Sequence, residues 1–146
     1  MPPDPASHPL SSKGLPPRRL IIGISGATGA IYGVRLLQVL KSAPDIESHL
    51  VMSKAAERTI AYETEFTIPQ IRAMADASYI IADIGATISS GSFQTEGMII
   101  APCSIRTLSA IAAGIADNLL VRAADVHLKE RRRGDETPGV RQRLMV

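Results

Sequence analysis

Apolar residues come in short blocks along this chain, and each block is followed by a stretch with helical spacing. Residues 18–24 read Arg-Arg-Leu-Ile-Ile-Gly-Ile, apolar on both faces once the two arginines are passed. Such a run before a turn predicts a central strand of a parallel sheet. Residues 30–41 carry Ile31, Val34, Leu37 and Leu40 on one helical face, and Pro44-Asp45 ends that helix. The cycle then repeats: a second strand over 46–52, Ser53 as an N-cap, and a helix over 54–62. Pro69 opens a short helix to about residue 75. Residues 97–102 (GMIIAP) predict a third strand, Ser104 caps the next helix, Gly114 closes it, and a last helix covers 118–132. Residues 83–96, with Ser89-Ser90-Gly91-Ser92, are expected to be loop rather than core.

Strand–helix alternation with short connections predicts an α/β fold, a three-layer Rossmann-like parallel sheet with helices on both faces. Ligands of such sheets sit beyond the carboxyl ends of the strands. The 25–29 turn, Ser53 and Ser104 fall at such ends. The chain divides into a Pro- and Ser-rich extension over 1–17, expected to be disordered, a folded domain over 18–132 and a divergent polar tail over 133–146. The alternation calls for another apolar strand after the last helix. Residues 133–139 (RGDETPG) are polar, and 140–146 are short and basic, so the C-terminal strands of the sheet are expected to be missing.

Composition narrows the function. The chain has 146 residues, enough for one domain with a real core, and is 45% hydrophobic. Two Phe, three Tyr and no Trp leave that core aliphatic and argue against single-strand nucleic-acid binding by base stacking. Net charge is +2, with Lys129, Arg131, Arg132, Arg133, Arg141 and Arg143 bunched late; no nucleic-acid motif accompanies them. A single cysteine, Cys103, excludes an internal disulfide and fits a reducing, cytoplasmic setting. No apolar run approaches the ~18 residues that span a bilayer, so no membrane partner is expected. His8, His49 and His127 share no metal-ligand spacing and read as structural, so no metal is expected. Cys103 has no nearby His and reads as a small core residue rather than a nucleophile.

The chemistry is carried by the glycine turn. Leu20 to Ala30 reads as strand, Gly-rich turn and helix start, a geometry that presents free backbone N–H groups at a positive helix end to a phosphate. The spacing is GxxGxxG rather than the GxGxxG of dinucleotide enzymes. The second strand ends in Met52-Ser53-Lys54, with no acid to hold a dinucleotide ribose. A mononucleotide such as FMN suits this better. Pro102 to Thr107 forms a second anion candidate, with Ser104 and Thr107 offering hydroxyls and Arg106 a charge; simple helix capping explains the same spacing equally well.

Four segments, GISGATGAIYGVRLLQVL (23–40), HLVMSKAA (49–56), ISSGSFQTEGMIIAPCSIRTLSAIAAG (88–114) and RAADVHLKERR (122–132), together resemble the flavin prenyltransferase family of UbiX type. The resemblance covers residues 18–132. It implies a flavodoxin-like fold that holds FMN between subunits of a homo-oligomer. It also implies transfer of a dimethylallyl group from dimethylallyl phosphate to reduced FMN, closing a fourth ring across N5 and C6. The prenylated FMN would serve a UbiD-type decarboxylase, in ubiquinone synthesis or aromatic acid breakdown, with no metal. By position, the FMN site would comprise Gly26, Ala27, Thr28, Ser53, Ser104, Ile105, Arg106 and Thr107, with Arg122 facing a phosphate. Thr28 stands where relatives often have Ser. Glu63 would handle a proton beside the flavin and Lys129 would help hold the prenyl phosphate. Glu136, in Glu136-Thr137-Pro138, echoes an Arg-Glu-x-Pro motif in which Asp135 replaces the Arg.

The residue types suit the reaction. Cations on a departing phosphate stabilise the negative charge that develops there. A carboxylate can take the proton lost as the ring re-aromatises. Without the resemblance, Glu63 and Lys129 read as surface helix charges. Family members continue past the KERR segment with further strands that this sequence lacks, so FMN contacts are expected to outlast turnover. A non-catalytic FMN-binding remnant or assembly subunit is the alternative reading. An FMN-dependent cysteine decarboxylase would want a His near the flavin, and residues 54–126 contain none.

Overall fold

A computed structural model describes residues 16–132 and 143–146. Its strands are β1 (Arg18–Ile24), β2 (Ile46–Met52), β3 (Ala77–Tyr79), β4 (Gly97–Ile100) and β5 (Arg143–Met145). Its helices are α1 (Ala30–Lys41), α2 (Lys54–Glu63), α3 (Ile68–Met74), α4 (Ile105–Ala113) and α5 (Leu119–Arg132), with one 3₁₀ turn at Thr87–Ser89. All strand pairs are parallel, in the order β3-β2-β1-β4-β5. Setting aside the three-residue edge strand β3, the run β2-β1-β4-β5 is the opening of a flavodoxin-like sheet.

Alternation along the strands sorts the side chains into two cores. Ile22, Ile24, Leu50 and Met52 pack against Val34 and Leu37 of α1, Ile60 of α2 and Ile71 of α3. Ile21, Val51, Met98 and Ile100 pack on the opposite face against Ile111 of α4 and Leu119, Leu120 and Val121 of α5. Helix ends follow their sequence signals. Ser53 and Ser104 cap α2 and α4, Thr67 and Gln70 form a capping box on α3, and Gly114 closes α4 in the left-handed conformation at φ 71°. No helix among the described residues is long and apolar enough to cross a membrane.

Two expectations are corrected. The sheet does not stop at β4: Arg143–Met145 adds β5 beside it, with Gly97 opposite Arg143 and Ile99 opposite Met145. Three residues satisfy the edge of β4 because a parallel ladder needs only backbone groups, and Leu144 packs into the core under α5. The 83–96 segment is not free of core either, since Ile88 is 1% and Thr95 3% exposed. Ile88 fills space beneath α5, and the Thr95 hydroxyl meets His127 Nε2 at 2.7 Å. His8 and Glu136 lie outside the described residues.

Both described histidines are buried and bonded. His127 Nδ1 donates to the Ala123 carbonyl at 2.7 Å. His49 places Nε2 2.6 Å from Glu47 Oε1 and Nδ1 2.8 Å from the Tyr79 hydroxyl, stacked on Tyr79 and edge-on to Phe93. Burial lowers the pKa of His49 below the ordinary 6.5, against the opposing pull of Glu47. A His whose folded pKa is depressed stabilises the fold above its unfolded pKa, and that stability drains away as pH falls towards the folded value. Stability should therefore hold down to about pH 6.5 and drop as pH falls from there towards about 5. His49→Gln should flatten the drop. Urea midpoints for both proteins across that range check this; an equally steep drop in the variant contradicts it.

Candidate functional site

The carboxyl ends of β1, β2 and β4 meet at a cavity of about 430 Å³. This volume lies within the common range for small-molecule sites. The cavity also sits where such folds bind ligands, because connections leave β1 and β4 towards opposite faces of the sheet.

Ser25, fully buried, ties the site together. Its hydroxyl donates to the Pro102 carbonyl at 2.8 Å and accepts the Ser104 N–H at 2.6 Å. The turn after β1 is thereby locked to the start of α4 across the cis Ala101–Pro102 bond. Gly26 follows, where a Cβ would lie 2.4 Å from the Ala55 Cβ. Only glycine lets α2 come this close. The Ser53 hydroxyl accepts the Ala56 N–H at 3.0 Å, and the Ser104 hydroxyl accepts the Thr107 N–H at 3.1 Å while donating to Thr107 Oγ1 at 3.0 Å. Both serines thus cap their helices and still line the cavity.

The cavity lining combines charged and apolar side chains. Lys54 and Arg58 from α2 and Arg106 from α4 line it, opposed by the single carboxylate Asp117. Ile81, Ala82, Ala110 and Val121 form the apolar part, and Asn118 caps α5 by accepting the Val121 N–H at 3.0 Å. Cys103 sits in the loop before Ser104. Burial pushes its thiol pKa up, which keeps it in the unreactive S–H form, and Sγ contacts the Ser104 carbonyl at 3.6 Å. No group of three or more His, Cys, Asp or Glu among the described residues is placed to hold a metal.

The turn after β1 differs from its sequence reading. Glu63, at the end of α2, accepts the Gly29 N–H at 3.0 and 3.2 Å and the Ala30 N–H at 3.4 Å. The backbone donors at these two positions are not free for a phosphate; a carboxylate already complements the positive end of α1. Of the residues singled out by sequence, Gly26, Ser53, Ser104, Arg106 and Thr107 line the cavity. Ala27, Thr28, Ile105 and Arg122 lie outside its lining, with Ile105 84% exposed. Lys129 also lies outside it, with Nζ 2.9 Å from Asp125 Oδ2. Lys54, the cation after the second strand, also lines the cavity, and Ser25 belongs to the 25–29 turn; Arg58 is the lining cation that the sequence reading missed.

The Flavoprotein family profile matches residues 9–133. The flavin prenyltransferase UbiX of Escherichia coli K12 is 63% identical over 115 residues, covering 79% of this chain and 61% of that protein. The corresponding enzyme of Thauera aromatica is 56% identical over 115 residues, covering 79% of this chain and 59% of that protein. The chain therefore spans about three fifths of the length of these relatives. The crystal structure of AnUbiX (PadA1) in complex with FMN and dimethylallyl pyrophosphate superposes with a TM-score of 0.78 at 40% identity, over 89% of this chain and 78% of that one. A dodecameric FMN-dependent UbiX-like decarboxylase from Escherichia coli O157:H7 gives a TM-score of 0.76 at 57% identity, over 77% of this chain and 61% of that one.

Proposed function

The chain belongs to the Flavoprotein family, in its UbiX-type flavin prenyltransferase branch, and on that premise we propose that it holds FMN in the cavity beyond β1, β2 and β4 and prenylates it. The observation that carries the reading is the make-up of the cavity. Gly26 admits no side chain against Ala55, and the lining combines three cations, Lys54, Arg58 and Arg106, with the apolar side chains of Ile81, Ala82, Ala110 and Val121. A flat apolar ring with a phosphate tail needs both kinds of side chain.

Reduced FMN, bound there, supplies the electron-rich ring atoms that take up the dimethylallyl group of dimethylallyl phosphate. The protein's part is positioning and charge. Lys54 and Arg106, which line the cavity, would stabilise the negative charge that develops on the departing phosphate. Ser53 and Thr107 orient the phosphate with hydroxyls fixed by the helix caps. Gly26, Ala27 and Thr28 form the turn against which the ring lies. Glu63, held by the Gly29 and Ala30 N–H groups, accepts the proton released at the ring on a carboxylate oxygen. Arg122 and Lys129 are exposed on α5 and reach a phosphate only across an assembly. We therefore propose a homo-oligomer with its flavin near subunit boundaries, which the 84% and 47% exposure of Ile105 and Leu108 on α4 supports. A UbiD-type decarboxylase is the proposed recipient of prenylated FMN, and the cytoplasm its setting.

One observation favours a second reading. Lys129 is engaged by Asp125 away from the cavity, which suits a subunit that holds FMN without transferring a prenyl group. Anaerobic incubation with reduced FMN and dimethylallyl phosphate, followed by mass spectrometry of the released flavin, separates the two. A flavin heavier by one prenyl group is expected. Bound but unchanged FMN would overturn the transfer reading and leave the binding one.

A further inference from the structure

We infer that Arg58 anchors the phosphate monoester of the bound flavin, an inference that rests on the FMN reading above. Arg58 lies one helical turn after Lys54, so both present the same face of α2 to the cavity, opposite Arg106 at the start of α4. Like charges at this spacing destabilise a helix. Lys54 adds a cation to the positive end of α2, where the helix dipole disfavours it. The arrangement is unfavourable until an anion sits between the cations.

Among the described residues the one acid in the cavity lining is Asp117, and it forms no ion pair with any of the three cations. Arg19, Arg72 and Lys129 pair with Glu47, Glu57 and Asp125. Lys54, Arg58 and Arg106 have no ion-pair partner among the described residues. The nearest acid on α2, Glu57, is committed to Arg72 at 3.0 Å. Positions 54, 55, 61 and 62, one turn either side of Arg58, hold Lys, Ala, Ala and Tyr. The Gly29 and Ala30 N–H groups, the competing place for a phosphate, are taken by Glu63. A phosphate monoester carries about −1.5 to −2 charges at neutral pH, and a guanidinium can meet two of its oxygens at once.

FMN and riboflavin differ by that phosphate alone, so titrating each into the full chain isolates the contact. Arg58→Leu should weaken FMN binding about tenfold, the loss of one charged hydrogen bond at an exposed site, and leave riboflavin binding unchanged. Arg58→Lys should fall between. Arg35→Leu removes the same charge from the exposed part of α1 and should alter neither ligand. Equal weakening of both flavins by Arg58→Leu, or no weakening of FMN, overturns the assignment. So does an Arg58→Leu protein that keeps its FMN affinity but loses affinity for dimethylallyl phosphate when loaded with FMN. A folded wild-type protein that binds neither flavin would defeat the flavin reading itself, and this inference with it.

Discussion

Replacing Gly33 with alanine destabilises the protein by about 2 to 3 kcal/mol, the scale of overpacking in a tight core. The same change in an open helix would stabilise by about 1 kcal/mol, because alanine is the better helix former. Packing decides the sign. Gly33 faces the sheet from α1, and a Cβ there would lie 2.3 Å from the Ala101 carbonyl oxygen and 2.9 Å from two carbons of Ile24. Ile24 is fully buried and cannot retreat. The Ala101 carbonyl belongs to the loop that carries Ser104, whose N–H is bonded to Ser25. To admit the methyl group, α1 must lift from β1 or that loop must move. Urea unfolding measures the change; a variant as stable as the wild type would contradict the packing described.

Gly26→Ala produces the second large effect, this time on ligand binding. Its Cβ would meet the Ala55 Cβ at 2.4 Å and the Ala55 backbone at 3.1 and 3.3 Å. The beginning of α2, with Ser53, Lys54 and Arg58, is pushed off the turn and away from the start of α4. FMN binding is expected to weaken about thirty- to hundredfold, the equivalent of about 2 to 3 kcal/mol of strain relieved by displacing the wall. Adding Ala55→Gly removes the 2.4 Å contact and should recover much of the affinity, though not all, since the backbone contacts remain. Ala55→Gly alone should leave FMN affinity near the wild-type value. Flavin fluorescence titration of the four proteins checks the cycle. Undiminished binding in Gly26→Ala, or no recovery in the double variant, would contradict it.

The parts of the fold that could be read from sequence are those whose signals repeat. β1, β2 and α1 lie within the expected bounds because each spans several apolar positions of one period. Ser53, Ser104 and Gly114 announce their helix ends because capping is local chemistry. β3 and β5 are three residues each, too short for alternation to emerge, and they exist because β2 and β4 offer unpaired edges. The burial of Ile88 and Thr95 depends on α5 folding over a segment whose own composition looks like loop.

The site divides in the same way. Gly26, Ser53 and the Ser104 to Thr107 cap stand out because each breaks or begins an element. Glu63 reads as a surface charge because its partners, Gly29 and Ala30, are more than thirty residues away in sequence. Arg58 occupies an ordinary exposed helical position, and only the cavity distinguishes it from its neighbours. The resemblance to UbiX-type enzymes anticipated the family match because it rests on four ordered segments rather than on a single glycine turn.

Equilibrium titration of the purified, folded chain with FMN, in oxidised and reduced forms, decides whether the cavity is a flavin site. One FMN retained per chain is expected, held more tightly than riboflavin and less tightly as salt rises. A folded protein that retains no flavin in either redox state would contradict it.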